Sequence, residues 1–180
     1  MSFELVQDYL KVVSNIMPRQ EGWAYSSIYE IVLKEGKLCE AAGALSKDAA
    51  KILAGACGRR TFQLKQCFYN SQIAVLSDST DEMEYWEGFA YAGTIPVYHG
   101  WIVLQGQVVD LTWRNRKGLS RLGVDPKDWV YFGSPIPKDL LLKRAVLSGE
   151  LSCVLDDPEN GWPLLKNGIT KKEVCYARAA

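Results

Sequence analysis

Apolar residues recur at near-helical spacing from the start of the chain. Phe3, Leu5, Val6, Leu10, Val12, Val13 and Ile16 predict a helix over 3–17, and Pro18 closes it. Ser26 or Ser27 can cap a second helix with Ile28, Ile31, Val32 and Leu33 inside and Gly36 as its stop. Ser46, followed by Lys47, Asp48 and Ala49, opens a third helix that ends near Gly58. Residues 61–77 contain neither Gly nor Pro, and their apolar positions predict a buried helix beginning near Gln66.

The period changes at residue 83. Segments 83–91, 96–104 and 107–113 are rich in Tyr, Trp, Val and Ile and are broken by Gly93, Pro96 and Gly106. They predict three antiparallel strands. From residue 114 the chain turns polar, and the aromatic run 129–132 predicts a short strand or loop. Pro135 and Pro137 precede a helix near 138–148, while 150–180 carries no firm pattern. Helices followed by a small antiparallel sheet, with no repeat or linker, predict a single α+β domain over 1–180. Within it, a helical part covers about 1–77, a helix-and-sheet core about 61–113, and a C-terminal elaboration 114–180.

Composition removes several function classes. A chain of 180 residues is long enough to bury a continuous core without metal or disulfide support. Six Trp, nine Tyr and 23% charged residues exclude a disordered chain. Lys and Arg total 21 against 21 Asp and Glu, so no basic excess points to nucleic acid. No apolar run approaches the ~18 to 20 residues needed to span a bilayer, and no membrane partner is expected. The first residues carry Glu4 and Asp8 and no cleavage pattern, which does not read as a signal peptide. Cys39, Cys57, Cys67, Cys153 and Cys175 are odd in number and contain no CxxC pair. That spacing argues against an oxidised scaffold and for a reduced, cytoplasmic setting. A single His leaves no usual ligand set for zinc, and the acidic residues 78–82 lack calcium-loop spacing, so no metal or cofactor is expected.

His99 is the only histidine, and any imidazole-dependent mechanism must run through it. A lone histidine is ordinarily a surface or core residue, but the surrounding pattern shifts that balance. If Gln105 and Gly106 form a hairpin turn, Leu104 pairs with Gln107, Trp101 lies opposite Asp110, and His99 lies opposite Thr112. His99 and Asp110 then become diagonal neighbours on one face, about 7–8 Å apart at the backbone. From there the carboxylate can accept a hydrogen bond from one ring nitrogen, fix the tautomer and stabilise the imidazolium. A one-residue slip would send Asp110 to the other face.

Cys67 is the candidate nucleophile. At the start of a helix its thiol meets free backbone N–H groups and the positive end of the helix dipole. Both favour the thiolate, and the same N–H groups can bind an oxyanion. The alternative for Cys67 is a small core residue. Gln63 and Gln66 are candidate side-chain donors to the oxyanion, or members of a solvated face or cap. Trp101 and Trp113 are candidate walls of a substrate site, or core aromatics. Glu87 is either structural or substrate-facing, and the other four cysteines read as structural.

The order of Cys67, then His99, Gly100 and Trp101, then Asp110, Leu111 and Thr112 resembles the transglutaminase-like branch of the papain-like cysteine enzymes. Its familiar pattern is a helix starting with Cys, an H-A-W strand and a D-P-T strand. Gly100 departs from the Ala, Leu111 from the Pro, and Lys65 stands where G-x-C often places Gly. Residues 85–90 resemble the strand that commonly lies between Cys and His. The resemblance covers about residues 60–115. It implies a compact papain-like, transglutaminase-like core with Cys67 as nucleophile, His99 as base and then acid, and Asp110 orienting the imidazole. The implied activity is that of a cysteine hydrolase or acyltransferase (protease, deamidase, amidase, acetyl-transferring or transglutaminase type). It would act on an amide or peptide bond of a protein, peptide or small amide through a thioester. The alternative is a catalytically silent binding module on the same fold.

Overall fold

The computed structural model describes residues 2–39, 45–113 and 128–169. They form a mixed α+β arrangement, in chain order α1 (Ser2–Ile16), α2 (Ile28–Glu35), β1 (Lys37–Cys39), α3 (Lys47–Cys57), α4 (Cys67–Ser77), β2 (Met83–Tyr91), β3 (Val97–Leu104), β4 (Gln107–Val109), β5 (Val130–Ile136), α5 (Lys138–Ser148) and α6 (Pro163–Asn167). The strands make one curled antiparallel sheet in the order β1-β5-β2-β3-β4. Caps explain several boundaries. Ser27, rather than Ser26, accepts the Glu30 N–H at the start of α2, and Ser46 accepts the Ala49 N–H at the start of α3.

Alternation along the strands divides the apolar residues into two cores. On one face Tyr85, Phe89, Ile102, Val109 and Phe132 pack with Val6 and Leu10 of α1, Ile31 and Val32 of α2, and Ala74 and Val75 of α4. On the other face Cys39, Trp86, Trp101, Val103, Val108, Trp129 and Tyr131 form a smaller, aromatic cluster. Trp101 reaches across the sheet there because β5 carries Gly133. A Cβ at that position would come within 2.5 Å of the Trp101 Cη2 atom.

Several elements differ from the sequence expectation. Only one side of α1 is buried. Leu5, Val12 and Ile16 are exposed although they fit a helical pattern. Strand β1 and helix α6 were not predicted. Each is very short, and β1 exists only through its pairing with residues 131–133 of β5. Strand β5 runs on to Ile136, through Pro135. The proline is tolerated because β1 pairs only as far as Gly133 on that side, so no ladder bond is lost. Strand β4 stops at Val109 rather than 113, and residues 111–113 form a turn. The polar stretch beginning at residue 114 and Cys175 lie outside the described residues.

Candidate active site

The hairpin register places two of the sequence-selected residues together. Ile102 pairs with Val109, Val103 with Val108, and Leu104 with Gln107, as the turn at Gln105 and Gly106 predicts. One residue beyond the last pair, Asp110 leaves the strand. His99 donates from Nε2 to Asp110 Oδ2 over 2.7 Å. The expected opposition of His99 and Thr112 does not form, because Asp110 itself turns the chain. Its Oδ1 accepts the backbone N–H groups of Thr112 and Trp113, both at 2.8 Å, in the manner of an Asx turn. Asp110 Oδ2 accepts a further bond from the Tyr131 hydroxyl at 2.9 Å. Four donors therefore fix this carboxylate, and only one of them can carry a charge.

Cys67 is the first residue of α4, and after Asp110 it is the next group that favours the charged imidazole. Because Nε2 is taken by Asp110, the Nδ1 side of the ring is left for the thiol. Helix geometry gives the Cys67, Phe68 and Tyr69 N–H groups no intrahelical acceptor, and Gln66 makes no capping bond. Gly100 allows the approach of helix to strand. A Cβ there would lie 2.9 Å from a Phe68 ring carbon and 3.3 Å from Phe68 Cα. The same contact disfavours alanine at this position. Ser71 secures it from the helix side by donating to the Gly100 carbonyl at 3.1 Å.

The three groups are buried: Cys67 is 8% exposed, His99 2% and Asp110 3%. Burial by itself works against a charged imidazole. The charge and hydrogen bond of Asp110, followed by Cys67, outweigh it and raise the His99 pKa from 6.5 to about 10. Burial likewise opposes the Asp110 charge, yet the imidazolium and the two turn N–H groups hold its pKa below the usual value. The pair is thus an imidazolium and a carboxylate over the neutral range. Rings enclose it: Trp113 stacks on the imidazole at 4.5 Å between centroids and 29° between planes, and Trp101 lies behind it at 6.5 Å and 19°.

The remaining sequence candidates fall in different places. Trp101 is fully buried and backs the ring, and its indole N–H has no hydrogen-bond partner among the described residues. The side chains of Gln63 and Gln66 are exposed, and the Gln63 backbone is held by Asn70. Glu87 is structural, not substrate-facing. Wholly buried, it accepts bonds from Tyr85, Tyr98 and the N–H groups of Val154 and Leu155. Cys39, Cys57 and Cys153 are free thiols, and among the described residues no group of three or more His, Cys, Asp and Glu is placed to hold a metal. No described helix is long and apolar enough to cross a membrane.

No family model, curated protein or solved structure matches this chain. The site therefore stands on its own geometry. Sequence reasoning missed two residues of it, Asn70 and Tyr131. Asn70 had a visible signal, being an amide about one turn after Cys67 in a largely apolar helix. Tyr131 had none beyond its place in an aromatic run.

Also unexpected is the backbone before Cys67. Lys65 has φ of 65°, in the left-handed region that favours glycine. A conformation that suits glycine is adopted here by a residue with a side chain.

Proposed function

We propose that the chain is a thiol hydrolase or acyltransferase acting on an amide or peptide bond, built on a compact papain-like, transglutaminase-like core. The observation that carries this reading is one imidazole held between a carboxylate at 2.7 Å and a thiol at a helix start. The Cys67 sulfur, as thiolate, attacks the acyl carbon and the carbonyl electrons move to oxygen. Collapse expels the amine, which takes its proton from the His99 imidazolium and leaves a thioester. The neutral imidazole then removes a proton from water, giving hydrolysis, or from an amine, giving transfer. The incoming nucleophile displaces the Cys67 thiolate. Asp110 keeps the ring oriented and charged between steps. Proteins, peptides or small amides in a reduced, cytoplasmic setting are the substrates this reading implies.

One observation favours a second reading, a catalytically silent binding module: all three groups are less than a tenth exposed. Labelling of the native protein with iodoacetamide, followed by mass spectrometry, separates the two. Selective modification of Cys67 ahead of Cys39, Cys57, Cys153 and Cys175, slowed in His99→Ala, supports the enzyme. Modification of Cys67 only after denaturation supports the silent module.

A further inference from the structure

Asn70 makes contacts that its place in an apolar helix does not require. It lies one turn after Cys67 and is 1% exposed. Its Oδ1 accepts the Gln63 N–H at 3.2 Å, and its Nδ2 donates to the Gln63 carbonyl at 2.7 Å. Together these reproduce the two-bond pairing of adjacent strands using one side chain. The second Nδ2 hydrogen goes to Thr112 Oγ1 at 2.9 Å. Every donor and the acceptor of the amide are therefore engaged, in a buried setting where each unmade bond costs a large desolvation penalty.

The two ends of this clamp have different histories. Gln63 belongs to the loop that doubles back through the left-handed Lys65 to deliver Cys67 to the helix start. Thr112 belongs to the turn closed by Asp110, and its own N–H is bonded to Asp110 Oδ1. Nucleophile and acid come from segments 43 residues apart (67 to 110), and no hydrogen bond joins Cys67 to Asp110 directly. Asn70 is a one-residue polar bridge between their supports.

We propose that Asn70 is a positioning residue that sets the spacing of Cys67 and Asp110 on either side of His99, with Thr112 as its anchor. This rests on the thiol–imidazole reading above. Aspartate cannot replace it, since a carboxylate would face the Gln63 carbonyl and could donate to neither partner. Thr112→Val removes one arm of the clamp at nearly constant shape, whereas Thr112→Ser retains the hydroxyl.

The single histidine makes the test direct, because its ring signal in NMR is unique in the chain. The groups facing that ring are Asp110, Cys67 and, through Asp110, Tyr131. In Asn70→Ala and in Thr112→Val, the midpoint of the His99 titration is expected to fall by about one pH unit, the size of one net hydrogen bond. Cys67 alkylation at neutral pH is expected to slow roughly tenfold, as loss of reactive alignment does. Thr112→Ser should restore both. A folded Thr112→Val protein with the wild-type His99 midpoint and wild-type alkylation rate overturns the assignment, even if Asn70→Ala fails to fold. Failure of the enzyme reading looks different: His99→Ala would then leave Cys67 alkylation unchanged, while the His99 midpoints in the Asn70 and Thr112 variants still decide what Asn70 positions.

Discussion

Two buried carboxylates sit on opposite faces of the sheet, and each accepts four hydrogen bonds. Glu87 takes them from two phenols and two backbone N–H groups. Asp110 takes them from one phenol, two backbone N–H groups and the imidazole. Their titrations nevertheless move apart. Burial raises the Glu87 pKa despite its donors, while the imidazolium and the turn N–H groups bring Asp110 below its ordinary value. Hydrogen bonding alone therefore does not make a carboxylate electrostatically active in this core. A partner that can carry charge does. Glu87 uses its four bonds to hold the segment at Val154 and Leu155 onto the sheet; Asp110 uses one of its four to hold a proton on a ring.

The sharpest way to break the contrast is Asp110→Asn. The amide keeps the shape and part of the bonding but cannot stabilise the imidazolium. Turnover of an amide substrate is expected to fall by about 10³- to 10⁴-fold, as in triads whose orienting acid is amidated. Near-wild-type turnover would show that His99 works without its partner.

Alkali should act on the same bond. The raised His99 pKa means that the charged pair stabilises the fold fully below the ring's ordinary value near 6.5. That contribution is lost as pH rises through about 10. Thermal melting and turnover should both decline in that window, and His99→Ala should remove this part of the stability profile. At the acid end Asp110 has the opposite sign: its contribution is present above its unfolded pKa and lost as pH falls through the lowered folded one.

Glu87→Gln probes the other carboxylate. The amide presents hydrogens to donors that need acceptors, leaving at least one buried group unpaired at a cost of about 1–3 kcal/mol. For a chain of this size that lowers Tm by roughly 2–4 °C per kcal/mol. The His99 titration should not move. A change there would mean that the two faces are coupled and the contrast is false.

Tyr131→Phe gives the smallest expected effect. Without the phenol, more of the Asp110 charge is available to the ring, so the His99 midpoint should rise by a fraction of a unit, with turnover changed only a few-fold. A fall in that midpoint would contradict the assigned hydrogen bond.

These predictions draw on residues that the sequence exposed unequally. Serine caps located α2 and α3, and Gln105 and Gly106 set the β3–β4 register, because both are local devices whose chemistry lies within a few residues. Cys67, His99 and Asp110 were readable for the same reason, each lying at an element boundary or in a hairpin. Long-range partners were not readable. Strand β1 depends on β5, Asn70 on Thr112 42 residues away, and Tyr131 on Asp110 21 residues away. The end of β4 was misplaced because Asp110 fits a strand pattern while its side chain closes a turn.

Lys65 carries a consequence for how this chain can drift over generations. A side chain in the left-handed region costs about 1–2 kcal/mol relative to glycine, which is a sizeable part of a marginal total. Glycine, asparagine and aspartate can enter the position freely, whereas valine, isoleucine and threonine are shut out by their branched Cβ. Substitution there is a one-way gate. A lineage that acquires glycine at residue 65 gains stability without touching the three buried groups, and that reserve can then absorb losses elsewhere in the molecule.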